Sequence, residues 1–184
     1  MQSLQDHFLI AMPAMADPNF NETVTYICKH DADGAFGIVI NRPGDLSLGE
    51  MLGQLAIGLE DRSVASVPVM HGGPVEPERG FVLHRSSRTF EATLDAGAEI
   101  KLTSSPDILA AIGRGQSLGP VLVALGYAGW GRGQLEAELG SNTWLTVPAN
   151  PAIIFDTPCE QRWTAALGLP GVDIRHITQY AGHA

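Results

Sequence analysis

An imidazole followed by two residues without side chains stands at His71-Gly72-Gly73-Pro74-Val75. Such a ring can serve as an acid or base or orient a ligand, and it can equally bond a main-chain carbonyl at a strand end. A second glycine-rich bend is Gly126-Tyr127-Ala128-Gly129-Trp130-Gly131-Arg132-Gly133, running from a strand into a helix. Free N–H groups at a helix start hold anions, and the Arg132 guanidinium would add charge. The spacing is neither G-x-G-x-x-G nor a P-loop. Glycine suits places where main chain must crowd against something. If the two bends converge, His71, Gly72, Gly73, Gly129, Trp130, Gly131 and Arg132 form one ligand-binding surface.

Other residues with reactive chemistry stand apart. Cys159 falls at the second or third position of an expected helix, where the positive helix end would favour thiolate and a redox role, while Glu160 opposes it. Cys28 is far from it and no C-x-x-C exists, so neither a thioredoxin motif nor a zinc site is indicated. A disulfide between the two is left open. Gly115-Gln116-Ser117-Leu118-Gly119 matches G-x-S-x-G. A nucleophile elbow needs a strand before the serine and a helix after it, and here the order is reversed. The six histidines show no H-x-x-x-H spacing, and no carboxylate pair shares a face. No metal site and no cofactor are expected.

The elements that position these residues are short. Strands are expected at 7–12, 23–29, 35–41, 67–71, 80–85, 89–95, 98–103, 120–128, 143–147 and 152–155, with a last one at 174–178. Asn41-Arg42-Pro43-Gly44-Asp45 reads as a turn, and Gly72 to Glu78 as a tight loop. A capping box at Ser47–Glu50 starts a helix over 48–57. Further helices are expected from Ser105-Pro106, over 134–139, and from a second capping box at Thr157–Glu160. The 120–128 run is the most continuously apolar and belongs at the sheet centre. Hairpins with interspersed single helices, and no βαβ alternation, point to an α+β fold with a mostly antiparallel or mixed sheet.

Length and charge bound the function. A chain of 184 residues is one domain at roughly 100–200 residues per domain. A 45% hydrophobic share excludes a disordered chain. The net charge of -9, with two lysines and scattered arginines, argues against direct nucleic-acid binding. No apolar run approaches the ~20 residues of a membrane span, and the N-terminus lacks the basic start of a signal peptide, so a cytoplasmic protein away from membranes is expected.

Phe8-Leu9-Ile10-Ala11-Met12-Pro13, Phe36-Gly37-Ile38-Val39-Ile40-Asn41-Arg42-Pro43, His71-Gly72-Gly73-Pro74-Val75 and Gly126-Tyr127-Ala128-Gly129-Trp130-Gly131 with Gln134-Leu135-Glu136 together resemble the AlgH/YqgE family of bacterial proteins, in order and spacing, from about residue 4 to about 178. Asn142, Trp144 and Ile154-Phe155 also fit. The resemblance implies one α+β domain over 1–184, with a branched sheet curled into a partial barrel and about four short helices. It implies a cytoplasmic protein and no known reaction; some members are described as transcriptional regulators. The first reading is a non-enzymatic regulatory protein that binds a small molecule or a protein partner. The alternatives are a hydrolase or transferase on an anionic metabolite, with His71 as acid/base and Arg132 on the anion, and a direct DNA-binding regulator.

Overall fold

The structure is a computed structural model, described here over residues 2–172. An unbroken apolar run, buried on both faces, builds β1 (His7–Ala11), and β2 (Val24–Asp31) and β3 (Gly34–Val39) form a hairpin beside it. The segment expected as a turn after Asn41 is instead a strand, β4 (Pro43–Ser47), paired only with β5 (Pro68–His71). Pro43 is tolerated there because β4 is an edge strand that can spare a ladder N–H. Between them lies α1 (Leu48–Gln54), whose capping box is complete: Glu50 N–H donates to Ser47 Oγ and Ser47 N–H to Glu50 Oε2.

β6 (Val75–His84) begins earlier than expected, running straight out of Gly73-Pro74. β7 (Thr93–Asp95) and β8 (Lys101–Thr103) are shorter than the expected strands. α2 (Asp107–Gly113) follows Pro106. β9 (Val121–Gly131) extends past its expected end, so Gly129, Trp130 and Gly131 belong to the strand and the bend is confined to Arg132-Gly133. α3 (Gln134–Gly140) and β10 (Trp144–Pro148) come next.

Residues 152–155, expected as a strand, form α4 (Pro151–Phe155). The Asn150 side chain takes the Ala152 N–H and Pro151 opens the helix, so local capping outweighs the β-branched Ile153-Ile154. The capping box expected at Thr157 does not form; its hydroxyl donates to Ala152 O, and Cys159–Gln161 is a 3-10 turn ahead of α5 (Arg162–Leu167). That makes five short α-helices among the described residues, one more than expected. The strand expected at 174–178 lies outside the described residues.

The strands join one sheet in the order β10-β1-β2-β3-β9-β6-β8-β7. It branches at β9, which pairs antiparallel with β3 and β6 and parallel with β5. The sheet curls into a half-barrel, and Asp6 ties its two ends together. Its carboxylate accepts Tyr26 Oη–H at 2.9 Å from one side and the Ala98 N–H at 3.2 Å from the other. Phe8, Tyr26, Ile38, Leu83 and Leu122 fill the concave interior, which α4 and α5 cover at one end. On the convex side, α1 and α2 bury Leu48, Leu52, Ile108 and Leu109 against β5, β6 and β9. Leu135 of α3 packs with Trp130 and Trp144 against β1–β3. No helix among the described residues is long and apolar enough to cross a membrane.

Candidate ligand-binding cleft

The first glycine bend is crowded by the protein's own main chain. Gly72 N–H donates to Leu125 O and Val39 N–H to Gly72 O, both at 2.8 Å. A Cβ on Gly72 would sit 2.3 Å from Gly126 O, and one on Gly73, at φ +152, would lie 2.1 Å from the Tyr127 carbonyl carbon. His71 is exposed at the strand end, its ring beside Gly44, while its main-chain N–H donates to Arg42 O.

The second bend differs. A Cβ on Gly131 would find nothing closer than 3.9 Å and one on Gly133 nothing within 4 Å. Trp130 is buried on the convex face, where its Nε1–H donates to Glu138 Oε2 at 2.9 Å and the Trp144 Nε1–H reaches the same oxygen at 2.8 Å. Gly129, Arg132 and Gly133 are exposed. Gly131 stands five residues beyond Gly126 along β9, about 16 Å at the ~3.3 Å rise of a strand. Trp130 borders a shallow cavity with Lys29, Asp33 and Phe36, which His71, Gly72 and Gly73 do not line. Gly72 and Gly73 thus meet the Gly126–Ala128 start of the second stretch, while Arg132 and Gly133 stand at its far end.

What the crowded bend does is aim a side chain. Before Gly126, Leu122 and Ala124 face the concave interior; after it, Ala128 and Trp130 face the convex side, although all four positions are even-numbered. The phase of the strand flips at Gly126, at φ +76, where the β6–β9 register shifts. A bulge of this kind re-aims the next side chain, and here it turns Tyr127 inward. β2 does the same at Cys28: its register against β3 slips between Ile27 and Lys29. Tyr26 and Cys28 face inward, and the bulge brings Lys29 opposite Phe36 as well.

These devices furnish a cleft of about 500 Å³ at the open mouth of the half-barrel. Phe36, Phe81 and Tyr127 form its floor, with ring centroids 4.7 Å (Phe36–Tyr127), 5.5 Å (Phe36–Phe81) and 5.8 Å (Phe81–Tyr127) apart. Leu94 and Leu102 form one wall. Arg79 lies over Phe81, 5.3 Å from the ring centre, and donates to Glu76 at 3.0 Å. Lys29 Nζ is 2.9 Å from Asp31. This contact holds the Asp31 carboxyl below the usual range and raises the Lys29 ammonium above its own. Thr93, Ser104 and Glu91 supply polar groups at the rim. The lining holds no imidazole or thiol.

Residue types and linear spacing single out none of these cleft residues, because the floor is drawn from three different strands. The usable signal is Phe36 and Phe81 in phase with buried neighbours, each next to a glycine in the chain.

Other titratable groups lie off the cleft. His84 is buried and its Nε2 is 2.8 Å from Thr103 Oγ1, itself 2.9 Å from Thr93 Oγ1; its Nδ1 has no partner among the described residues. Burial, aided by Lys101, pushes its pKa down. Cys159 is not at an α-helix N-terminus as expected: it sits half-buried in the 3-10 turn, 3.9 Å from Met70 Sδ, and burial pushes its thiol up against the pull of Arg162. That environment disfavours the thiolate which a redox role requires. Cys28 is fully buried with its thiol also raised, and both cysteines are free. Ser117 is exposed in a loop that leaves a helix and enters a strand, so no nucleophile elbow forms. Among the described residues no three His, Cys, Asp or Glu side chains gather as a metal site.

Comparison with known proteins gives the kinship. A UPF0301 protein of Nitrosospira multiformis is 52% identical over the full length of both chains. One of Methylococcus capsulatus is 51% identical over 98% of this chain and 96% of its own. The solution structure of the AlgH protein from Pseudomonas aeruginosa superposes with a TM-score of 0.79 at 50% identity, covering all of both chains. A Corynebacterium diphtheriae protein shares the fold, with a TM-score of 0.71 at 18% identity over 93% of this chain and 90% of that one. A family model described as AlgH-like matches residues 8–175, and the chain belongs to that family.

Proposed function

We propose that this is a binding protein without enzymatic activity, regulatory in role, that receives a small molecule in the cleft at the mouth of the half-barrel. The observation that carries this is the aromatic floor of Phe36, Phe81 and Tyr127, with one ring turned inward by a bulge and all three left facing a cleft of about 500 Å³. Clefts of ~300–1,000 Å³ in barrel mouths, apolar with a few polar groups, are typical ligand sites. The lining offers no nucleophile beside a base, which favours binding over chemistry. Two free thiols suit a reducing cytoplasm. Direct DNA binding finds little support. The chain carries a net charge of -9 with only two lysines, and Arg162 is buried, donating to Ile40 O and Thr157 O. The hydrolase alternative is weakened by His71, which stands exposed, outside this cleft.

A thermal-shift screen of metabolites against the wild type and a cleft-filled Ala92→Trp variant tests the reading. A ligand at 100 times its Kd adds about 2.7 kcal/mol, several degrees of melting temperature. The expected result is at least one compound that stabilises the wild type and not the variant. Stabilisers that act equally on both would contradict the cleft, and a flat screen would favour a protein partner.

A further inference from the structure

We propose that the ligand of this cleft is a flat aromatic anion, a planar ring carrying a phosphate or carboxylate; this rests on the reading of the cleft as a ligand site. The ring follows from the floor. Phe36 and Tyr127 lie 4.7 Å apart and tilted by 38°, too close to admit a group between them, so a guest must lie across their exposed faces. The charge follows from what flanks that floor. Lys29 stands on β2 and Arg79 on β6, with β3 and β9 between, about three strand spacings or ~14 Å along the sheet. Each cation is held by a single carboxylate, Asp31 or Glu76, and both pairs are solvent-exposed. Exposed pairs of this kind contribute only about 0–1 kcal/mol, so either cation can turn to an arriving anion at little cost. A cationic guest fits less well, because the guanidinium of Arg79 already occupies the face of Phe81, 5.3 Å from its centre. Glu91 is the one lining carboxylate, and it opposes an anion at the rim. Its removal is therefore an internal control of opposite sign to the removal of Arg79.

The experiment is isothermal titration of the full-length protein with four probes: a purine nucleoside monophosphate, the matching nucleoside, inorganic phosphate, and naphthoate. At least one of the monophosphate and naphthoate is expected to bind, which also tells a nucleotide source from an aromatic acid. The nucleoside and phosphate alone should each bind at least about ten-fold more weakly than the probe that combines both features, the equivalent of ~1.4 kcal/mol. Arg79→Gln and Lys29→Gln, with melting temperatures checked for folding, should each weaken binding by about ten-fold, as loss of a charge-assisted contact does. Glu91→Gln should tighten it, and raising the salt from ~50 to ~500 mM should weaken it. Binding of neither anion, equal binding of the neutral nucleoside, or unchanged affinity in Arg79→Gln would overturn the proposal. If neutral or cationic compounds bind and are lost in Ala92→Trp, the cleft stands and the anion falls. If nothing that binds is lost in that variant, both fall.

Discussion

His84 shows how one side chain can tie stability to pH without belonging to the site. Its ring is buried, one nitrogen bonded to Thr103, and burial lowers its pKa from the usual ~6.5. As pH falls through that usual value the unfolded chain takes up a proton before the folded protein does, so stability is full above it and declines below. A His84→Leu variant carries a pH-independent change from the lost hydrogen bond and repacking, and it removes this decline. Melting temperatures measured from pH 7.5 down to 5 should fall more steeply for the wild type than for the variant. Parallel curves would show that His84 protonates equally well in both states.

Glu138 carries a comparable burden at the residue scale. It accepts both indole N–H groups of Trp130 and Trp144, which explains why Trp130, read from the sequence as part of a ligand surface, serves as an anchor for α3.

At the scale of elements, the glycines separate into those that are needed and those that are merely present. Gly73→Ala would force a Cβ into the Tyr127 carbonyl at φ +152 and should destabilise the protein by about 3 kcal/mol or more. Gly131→Ala meets no atom closer than 3.9 Å and should change stability by less than ~0.5 kcal/mol. Denaturant midpoints of the two variants check this, and equal losses would mean that the crowding at Gly72–Gly73 against Gly126–Tyr127 is not what the fold requires.

The same bend marks what was legible in the sequence. Continuous apolar runs placed β1 and the central β9, alternation over 23–29 placed the first strand of the β2–β3 hairpin, and the spacing of Ser47 and Glu50 located a cap whose two hydrogen bonds are both made. Asn150-Pro151 concealed a helix behind two isoleucines, and Pro43 disguised an edge strand as a turn. The cleft was hidden for a physical reason. Strict alternation assigns Lys29 and Tyr127 to the convex face, and the bulges at Cys28 and Gly126 reverse them. A register shift depends on the partner strand, and a single strand's sequence does not contain it.

Over the whole molecule, the protein carries a net charge of -9, while its cleft offers Lys29 and Arg79 beside three aromatic rings. The global field slows the approach of an anion and the local cations must retain it, so affinity is expected to depend on the few rim charges rather than on net charge. The curl of the sheet makes this arrangement, since Asp6 draws the β7–β8 turn onto the start of β1, beside the strands that line the cleft. The most direct test is a heteronuclear NMR titration with a purine nucleoside monophosphate and naphthoate. Resonances of Lys29, Phe36, Arg79, Phe81 and Tyr127 should shift together in a saturable manner for at least one of the two, with His71 to Gly73 and Trp130 to Gly133 much less affected. Saturable shifts confined to those two glycine bends, with the aromatic floor unmoved, would contradict the account.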